Sequence, residues 1–575
     1  MKKDVQQGEV TGEVFTRPEV VAYMLNSVRH CGKFKSLVGL RVLEPSCGDG
    51  AFVLPLVEAW LSEKPDFDSV DADSFLRACD ISSENIEKLR GAVRERLIAA
   101  SCARARANAL LARWLVCGDF LLQEFKERFD IVIGNPPYIR FDDIPSAKQK
   151  EYRAMFSSFT ERCDIYVPFF EKSLALLSDK GVFSFICTNR FTKSSYGKQL
   201  RRLIADRYHV ALYLNMEHTQ PFVQEVSAYP AIYIIDHNRN RVTYSATIND
   251  AGIPTLNRVR MGQPKSELSV FKQWYKGDSP WISTDCQERE AADKIARTFP
   301  TITKSAEGTE IGIGVASGAD DIYINAQRVA SIEPSCLLPL VASEDIHDGR
   351  ISWDERYLLN PYDDNDDTQM RDLARYPLAA AYFDSHAPKL KARYCARKHP
   401  HDWYRTLDRV KYALLRSPKI LIPDIQLGGN VALDECGSYY PHHNVYWITS
   451  RKWNLKALCV LLRSSFVTSQ IRNVSVQMRG GSIRYQAQNL RNVHIPAWSS
   501  LSEGNVEKLV SAYESNDTEY LDAVVDAVVR DSTARQPVRL FQADLFNKEE
   551  CSVCQIEHVP DRRAGRFRFV KYCVL

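Results

Sequence analysis

No stretch of this chain approaches the roughly 18 consecutive apolar residues of a membrane span, so no membrane association is expected. The opening residues, MKKDVQQGEVTGEVF, lack the apolar core of a secretory signal. The 15 cysteines are odd in number and scattered singly, which suits a reducing cytosol better than a disulfide framework. A cytoplasmic location is therefore expected. Charge of one sign is missing from one region: between Cys436 and Ser502 there is no Asp or Glu. The same stretch carries Arg451, Lys452, Lys456, Arg463, Arg472, Arg479, Arg484 and Arg491. The overall net charge of +3 does not announce a nucleic-acid partner, but this asymmetry can build a face for phosphates. Acids elsewhere in space could equally compensate it.

A chain of 575 residues is too long for one compact domain. The first 245 residues alternate strand and helix signals, which predicts an α/β doubly wound, Rossmann-like sheet with its ligand at the carboxyl ends of the strands. Arg41-Val42-Leu43, Phe75–Cys79, Leu115-Val116-Cys117, Phe129–Ile133, Val182–Cys187 and Tyr229–Ile235 read as strands. Ala51–Leu61 reads as a helix, and so does SSENIEKLRGAVRERL, capped by Ser82 or Ser83. Asp164–Ser178 also reads as helical, with Gly181 as its stop. Residues 246–304 read as a connection, entered through the polar DHNRNR (236–241) and containing MGQPKSE and KGDSPW. Residues 305–500 have short strands, aromatics and Gly turns, the pattern of a second, mixed α/β domain. Residues 501–575 read as one or two helices and a tail.

The most informative segment is FDIVIGNPPYIRF, residues 129–141, in which an apolar strand runs into Asn135-Pro136-Pro137-Tyr138. Two prolines fix φ and stiffen the loop. An exocyclic amino group is a poor nucleophile because its lone pair is delocalised into the ring. Two acceptors holding its two hydrogens would pull the nitrogen toward tetrahedral geometry and aim the lone pair. The Asn135 side-chain oxygen and the Pro136 carbonyl are suited to that task, which is positioning and electrostatics and needs no covalent intermediate. Tyr138 offers a flat face for a base.

Upstream, RVLEPSCGDGAF (41–52) ends a strand at Glu44-Pro45, and Gly48 and Gly50 let backbone approach a ligand. It is neither the GxGxxG dinucleotide fingerprint nor a P-loop. Such a turn can wrap the methionine part of S-adenosyl-L-methionine. Asp80, followed by Ile81, ends the second strand, where an acid can take both hydroxyls of a ribose. Asp119 and Phe120 end the third, where a carboxylate and a ring can meet an adenine.

Together these motifs resemble the γ class of adenine-N6 DNA methyltransferases, the TaqI-like and Eco57I-like group. The likeness is close over residues 11–240 and weaker over 305–500. GEVFTRPEVVAYM matches its N-terminal motif, which implies that Thr16 and Pro18 hold the amino-acid end of the cofactor. CDIYVPFFEKSL matches the next helix and implies that Asp164 and Tyr166 border the pocket. TNRFTKSSYGKQLR places Tyr196 where the family sets an aromatic ring on the other face of a flipped adenine. Phe stands there in some members. The resemblance implies a modification enzyme of a restriction-modification system, acting as a monomer on double-stranded DNA. A cognate restriction endonuclease would act as a separate protein.

The second half has the flavour of that family's DNA target-recognition regions in IGIGVASGADDIYI, LLPLVASEDI, PKILIPDI and MRGGSIRYQAQNLRNVHIP. In the last, Gly480 and Gly481 permit close approach to DNA, and Arg479 and Arg484 are candidate contacts to phosphate or guanine. Cys551, Cys554, His558 and Cys573 make a poor zinc pattern, since one CxxC has no matching pair. DDNDD (363–367) has no EF-hand spacing, and no metal is expected. Two alternatives stay open: methylation of protein glutamine or of RNA, where NPPY also occurs, and a binding protein that has lost activity.

Overall fold

Short apolar runs that cannot cover themselves stack side by side, and nine of them build one sheet in the computed structural model of the protein. The structure describes residues 14–224, 229–263, 266–324, 331–363, 366–475 and 481–534. In chain order the strands are β1 (Val42–Glu44), β2 (Leu76–Asp80), β3 (Leu115–Cys117), β4 (Phe129–Gly134), β5 (Leu177–Thr188), β6 (His209–Asn215), β7 (Pro230–Asp236), β8 (Thr243–Thr247) and β9 (Ser269–Phe271). In space they run β3-β2-β1-β4-β5-β7-β6-β8-β9. β7 and β9 are antiparallel to the rest. The order reverses between β1 and β4, so the loops leaving these two strands border a crevice.

Both faces of the sheet are buried, as a parallel sheet requires. Val42, Ile131 and Ile133 enter one core, with the helices Pro18–Gly32, Val53–Ser62, Ser83–Ala99 and Arg104–Trp114. Leu43, Phe129 and Val132 point the other way, into a core shared with the helices Tyr166–Ala175 and Lys198–Arg207. A slip of one residue would exchange the two sets, so register is tightly specified. Ser82 caps its helix by accepting from the Asn85 N–H, as its position predicts.

The helix expected over Asp164–Ser178 is shorter, Tyr166–Ala175, and β5 begins at Leu177. Gly181 is not a helix stop. It lies inside β5, where an added Cβ would sit 2.7 Å from the Phe129 carbonyl oxygen, so close strand approach explains the glycine. Residues 246–304 do not merely connect. β8 and β9 extend the sheet, and Trp274 and Trp281 pack against Tyr213 with centroids 5.9 and 5.4 Å apart. The polar text there marks the turns around β9.

The second half contains a four-stranded antiparallel sheet in the order Glu310–Ile313, Val445–Thr449, Lys419–Pro423, Ala432–Asp434. Ile420, Ile422 and Ile448 face a core built with helices Leu455–Arg463, Ser465–Val474, Glu503–Ser515 and Thr518–Ala534. Glu503–Ser515 and Thr518–Ala534, where one or two helices are expected beyond 501, therefore complete this core. Leu421, Val445 and Trp447 face a second core containing Leu338, Leu340 and Phe383. The fold class is thus mixed α/β throughout, a Rossmann-like sheet followed by an additional mixed domain. No described helix is long and apolar enough to cross a membrane.

Candidate active site

The crevice at the β1–β4 reversal is held together from both loops. The Ser46 hydroxyl donates to the Asn135 carbonyl at 2.9 Å. The Asn135 side-chain Nδ2 donates to the Val14 carbonyl at 2.8 Å and to Thr16 Oγ1 at 3.3 Å. A carbonyl only accepts, so this contact fixes which end of the amide faces Val14. Oδ1 then faces the other way, buried and without a hydrogen-bond partner. Leaving a buried acceptor unpaired costs roughly 1–3 kcal/mol. Thr16 is itself held by a β-bridge to Phe222. Pro136 is buried and Pro137 lines the crevice. Tyr138 lies edge-on to Phe222, with centroids 5.9 Å apart. Its hydroxyl is buried and unpartnered, and burial pushes it well above the usual phenol range.

The crevice has a volume of about 300 Å³. Among the residues expected to hold a cofactor, Thr16, Glu44, Pro45, Gly48, Asp80, Ile81, Asp119, Phe120 and Asn135 line it. Pro18 and Gly50 line a neighbouring apolar groove. Gly50 has φ +99°, and a Cβ there would lie 2.5 Å from Leu89, so its role in the fold is to let the turn pack on helix Ser83–Ala99. Asp164 and Tyr166 are outside the wall of the crevice. Tyr166 is buried, accepts from the Phe191 N–H at 3.1 Å and meets the Tyr196 hydroxyl at 3.0 Å. It thereby anchors the loop that carries Tyr196. Burial pushes the Asp164 carboxyl up, and Arg190 opposes that shift.

The acids of the crevice differ in their surroundings. Asp80 accepts from the Gly48 N–H and the Ser82 N–H, both at 2.8 Å, which joins the ends of β1 and β2. Glu44 is almost wholly buried, with Oε2 unpartnered. Burial, then the charges of Asp80 and Asp49, push its carboxyl well above the usual range. Asp119 accepts from the Tyr152 hydroxyl at 2.7 Å, from Lys148 at 3.1 Å and from the Leu121 N–H at 3.0 Å. Lys172 holds the following turn by donating to the carbonyls of Phe120 (2.7 Å), Leu121 (2.9 Å) and Gln123. Burial lowers its ammonium to about 8.

Sequence reasoning missed Asp49, Ile139, Ile144, Lys148, Tyr152 and Phe169 in the crevice wall. The signal for two of them was present. Lys148 and Tyr152 are four apart on helix Ser146–Met155, and so share one face.

In the second half, Arg484 is engaged by Asp424, through a 3.3 Å Nε contact and a second, shorter one. The pair occupies Nε and one Nη2 hydrogen and leaves the Nη1 donors of the half-exposed guanidinium for a second acceptor. Gly481 adopts φ +79° with open space around it, and Arg479 and Gly480 lie outside the described residues. Lys456 faces Glu435 and Glu514, and Arg463 is buried. Acids from other segments thus offset part of the acid-free stretch.

Residues 76–222 match the family described as Eco57I restriction-modification methylase. The Type II methyltransferase M.BstVI of Geobacillus stearothermophilus is 35% identical over 536 residues, 89% of this chain and 95% of that protein. The Type II methyltransferase M.PaeR7I of Pseudomonas aeruginosa is 35% identical over 90% of this chain and 91% of its own. Among solved structures, the Type IIL restriction-modification enzyme MmeI in complex with DNA superposes with a TM-score of 0.59 at 12% identity, covering 91% of this chain and 74% of that one.

Proposed function

Because the chain belongs to the Type II methyltransferases of restriction-modification systems, we propose that it transfers a methyl group from S-adenosyl-L-methionine to the N6 amino group of an adenine flipped out of a short DNA recognition sequence. One observation carries the reading: Asn135 Oδ1 is a buried acceptor with no partner, on an amide whose other end is tied down. Together with the Pro136 carbonyl, it would accept the two amino hydrogens and direct the nitrogen lone pair. Tyr138 and Tyr196 are the proposed stacking faces for the extruded base. Plasmid DNA from expressing cells tests the proposal by single-molecule sequencing. Methyladenine at one recurrent motif supports it, and unmodified DNA alongside labelled protein or RNA overturns it.

The cofactor supplies an electrophilic methyl group on a sulfonium centre. The crevice suits it because the unpartnered Glu44 Oε2 can take a cationic ammonium. Gly48 presents backbone without a side chain, and Asp80 has acceptor capacity left for ribose hydroxyls. Asp119, steadied by Lys148 and Tyr152, is the proposed partner of the adenine amino group, with Phe120 and Ile81 against the ring. We place Thr16 at the amino-acid end. The reading assigns the sheet domain to chemistry and the second half to DNA recognition, in a monomer whose cognate endonuclease is a separate protein.

Glu44 gives a test with two signs. The folded chain keeps the Glu44 proton to higher pH than the unfolded chain. Its contribution to stability is therefore full below the ordinary carboxyl value of about 4.3 and is lost as pH rises through the raised value. Glu44→Gln removes that loss, so at neutral pH the unliganded variant should melt higher than the wild type in calorimetry. Its affinity for S-adenosylhomocysteine should fall roughly 10–100-fold, the worth of one charge-assisted hydrogen bond. Unchanged affinity would remove Glu44 from the cofactor site.

A further inference from the structure

We propose that Asp320, His442 and His443 form a binding site for one divalent transition-metal ion of the zinc class, in the second half of the chain and apart from the active site. One ligand atom from each residue lies within 4.8 Å of the others. His442 Nε2 is 2.8 Å from His443 Nδ1 and 3.4 Å from Asp320 Oδ2. Around a tetrahedral ion with bonds of about 2.0–2.1 Å, ligand atoms stand roughly 3.3 Å apart, so small side-chain adjustments suffice.

The backbone brings the three together. Val315 pairs with His442 in a parallel bridge, and its N–H donates to the Pro441 carbonyl at 3.0 Å. Gly314 permits this approach, because a Cβ there would lie 2.1 Å from the His442 carbonyl oxygen. The chain then turns through Ser317, whose hydroxyl donates to Asp320 Oδ1 and leaves Oδ2 toward His442.

The tautomer of His442 decides what the cluster wants. Asn444 Oδ1 accepts from the Ser343 N–H at 3.2 Å, which identifies that atom as the oxygen. It also lies 3.1 Å from His442 Nδ1, so Nδ1 must donate. Neutral His442 therefore turns a bare Nε2 toward Asp320 and His443. A simple imidazole–imidazole hydrogen bond satisfies the 2.8 Å contact but leaves the Asp320 oxygen 3.4 Å from an acceptor nitrogen with no proton between them. A cation between them satisfies all three groups, and Asn444 is then the outer partner that orients a ligating histidine. Two imidazoles and one carboxylate favour zinc, cobalt or nickel over calcium or magnesium. Water completes the coordination. Binding would clamp the 314–320 turn to the 441–444 loop.

The test uses the untagged, full-length chain carrying Cys551→Ser and Cys554→Ser, so that the tail thiols do not compete. After chelator treatment, Co²⁺ is added and followed by visible absorption, and Zn²⁺ by calorimetric titration. One equivalent should bind with d–d bands of a nitrogen–oxygen site and raise Tm. His443→Ala and Asp320→Asn, both at exposed positions, should each weaken binding at least about tenfold while leaving the far-UV spectrum unchanged. Absence of a stoichiometric site, or a site whose affinity neither substitution alters, overturns the proposal.

Discussion

Asn135→Ala is expected to lower the rate of DNA methylation by about 10²–10³-fold, the usual cost of deleting one preorganised polar group that acts on the reacting centre. Binding of cofactor and of DNA should persist. Val14 and Thr16 hold Nδ2, so Oδ1 is fixed before any substrate arrives, and no reorganisation is needed when the amino group does. Ala removes the acceptor and also the donor that positions residues 14–16, so cofactor affinity should be measured in the same samples. Asn135→Asp separates the two roles. It keeps an acceptor but sets a carboxylate oxygen against the Val14 carbonyl, and should fall between Ala and wild type. Single-turnover transfer from labelled cofactor to an oligonucleotide reads the chemical step. Full activity in Asn135→Ala would sink the proposed grip on the amino group.

The half of the protein proposed to carry this chemistry was the more legible in sequence, for a physical reason. In a parallel sheet the ligand-facing residues follow the strand ends. Short apolar runs ending at Glu44, Asp80, Cys117 and Gly134 therefore flagged both the strands and the crevice. β6 was missed although all seven residues from His209 to Asn215 are buried, because an unbroken apolar run has no period to separate strand from helix. Gly181 misled because a glycine that ends a helix and one that admits a neighbouring strand look alike in text. The pairings least legible join distant segments. Nothing around Arg484 announces Asp424, and nothing around His442 announces Asp320. Nor does anything around Tyr166 announce that its hydroxyl meets Tyr196 and the Phe191 N–H.

Asp434→Asn is expected to destabilise the second half by about 3–5 kcal/mol, the cost of breaking a fully buried ion pair by removing one charge. Lys419 and Asp434 are opposite each other on paired strands, 2.7 Å apart, and both are almost wholly enclosed. Burial already presses the Lys419 ammonium down, and Asp434 is what opposes it. The carboxylate also accepts from the Ser438 and Tyr439 N–H groups at 2.9 and 3.0 Å. An amide keeps one acceptor atom for those groups but sets an NH₂ donor or a neutral oxygen against an ammonium that has no water to turn to. The Lys419→Met/Asp434→Leu double variant loses both charges together and should be less destabilised than Asp434→Asn, although two N–H groups then lose their acceptor. If the two halves divide labour as proposed, melting of Asp434→Asn should split into two transitions. The lower one should belong to the DNA-reading half, with S-adenosylhomocysteine raising only the upper. At a temperature between them the variant should bind the cofactor and fail to methylate DNA. A single transition, with both activities lost together, would mean that the halves fold as one unit.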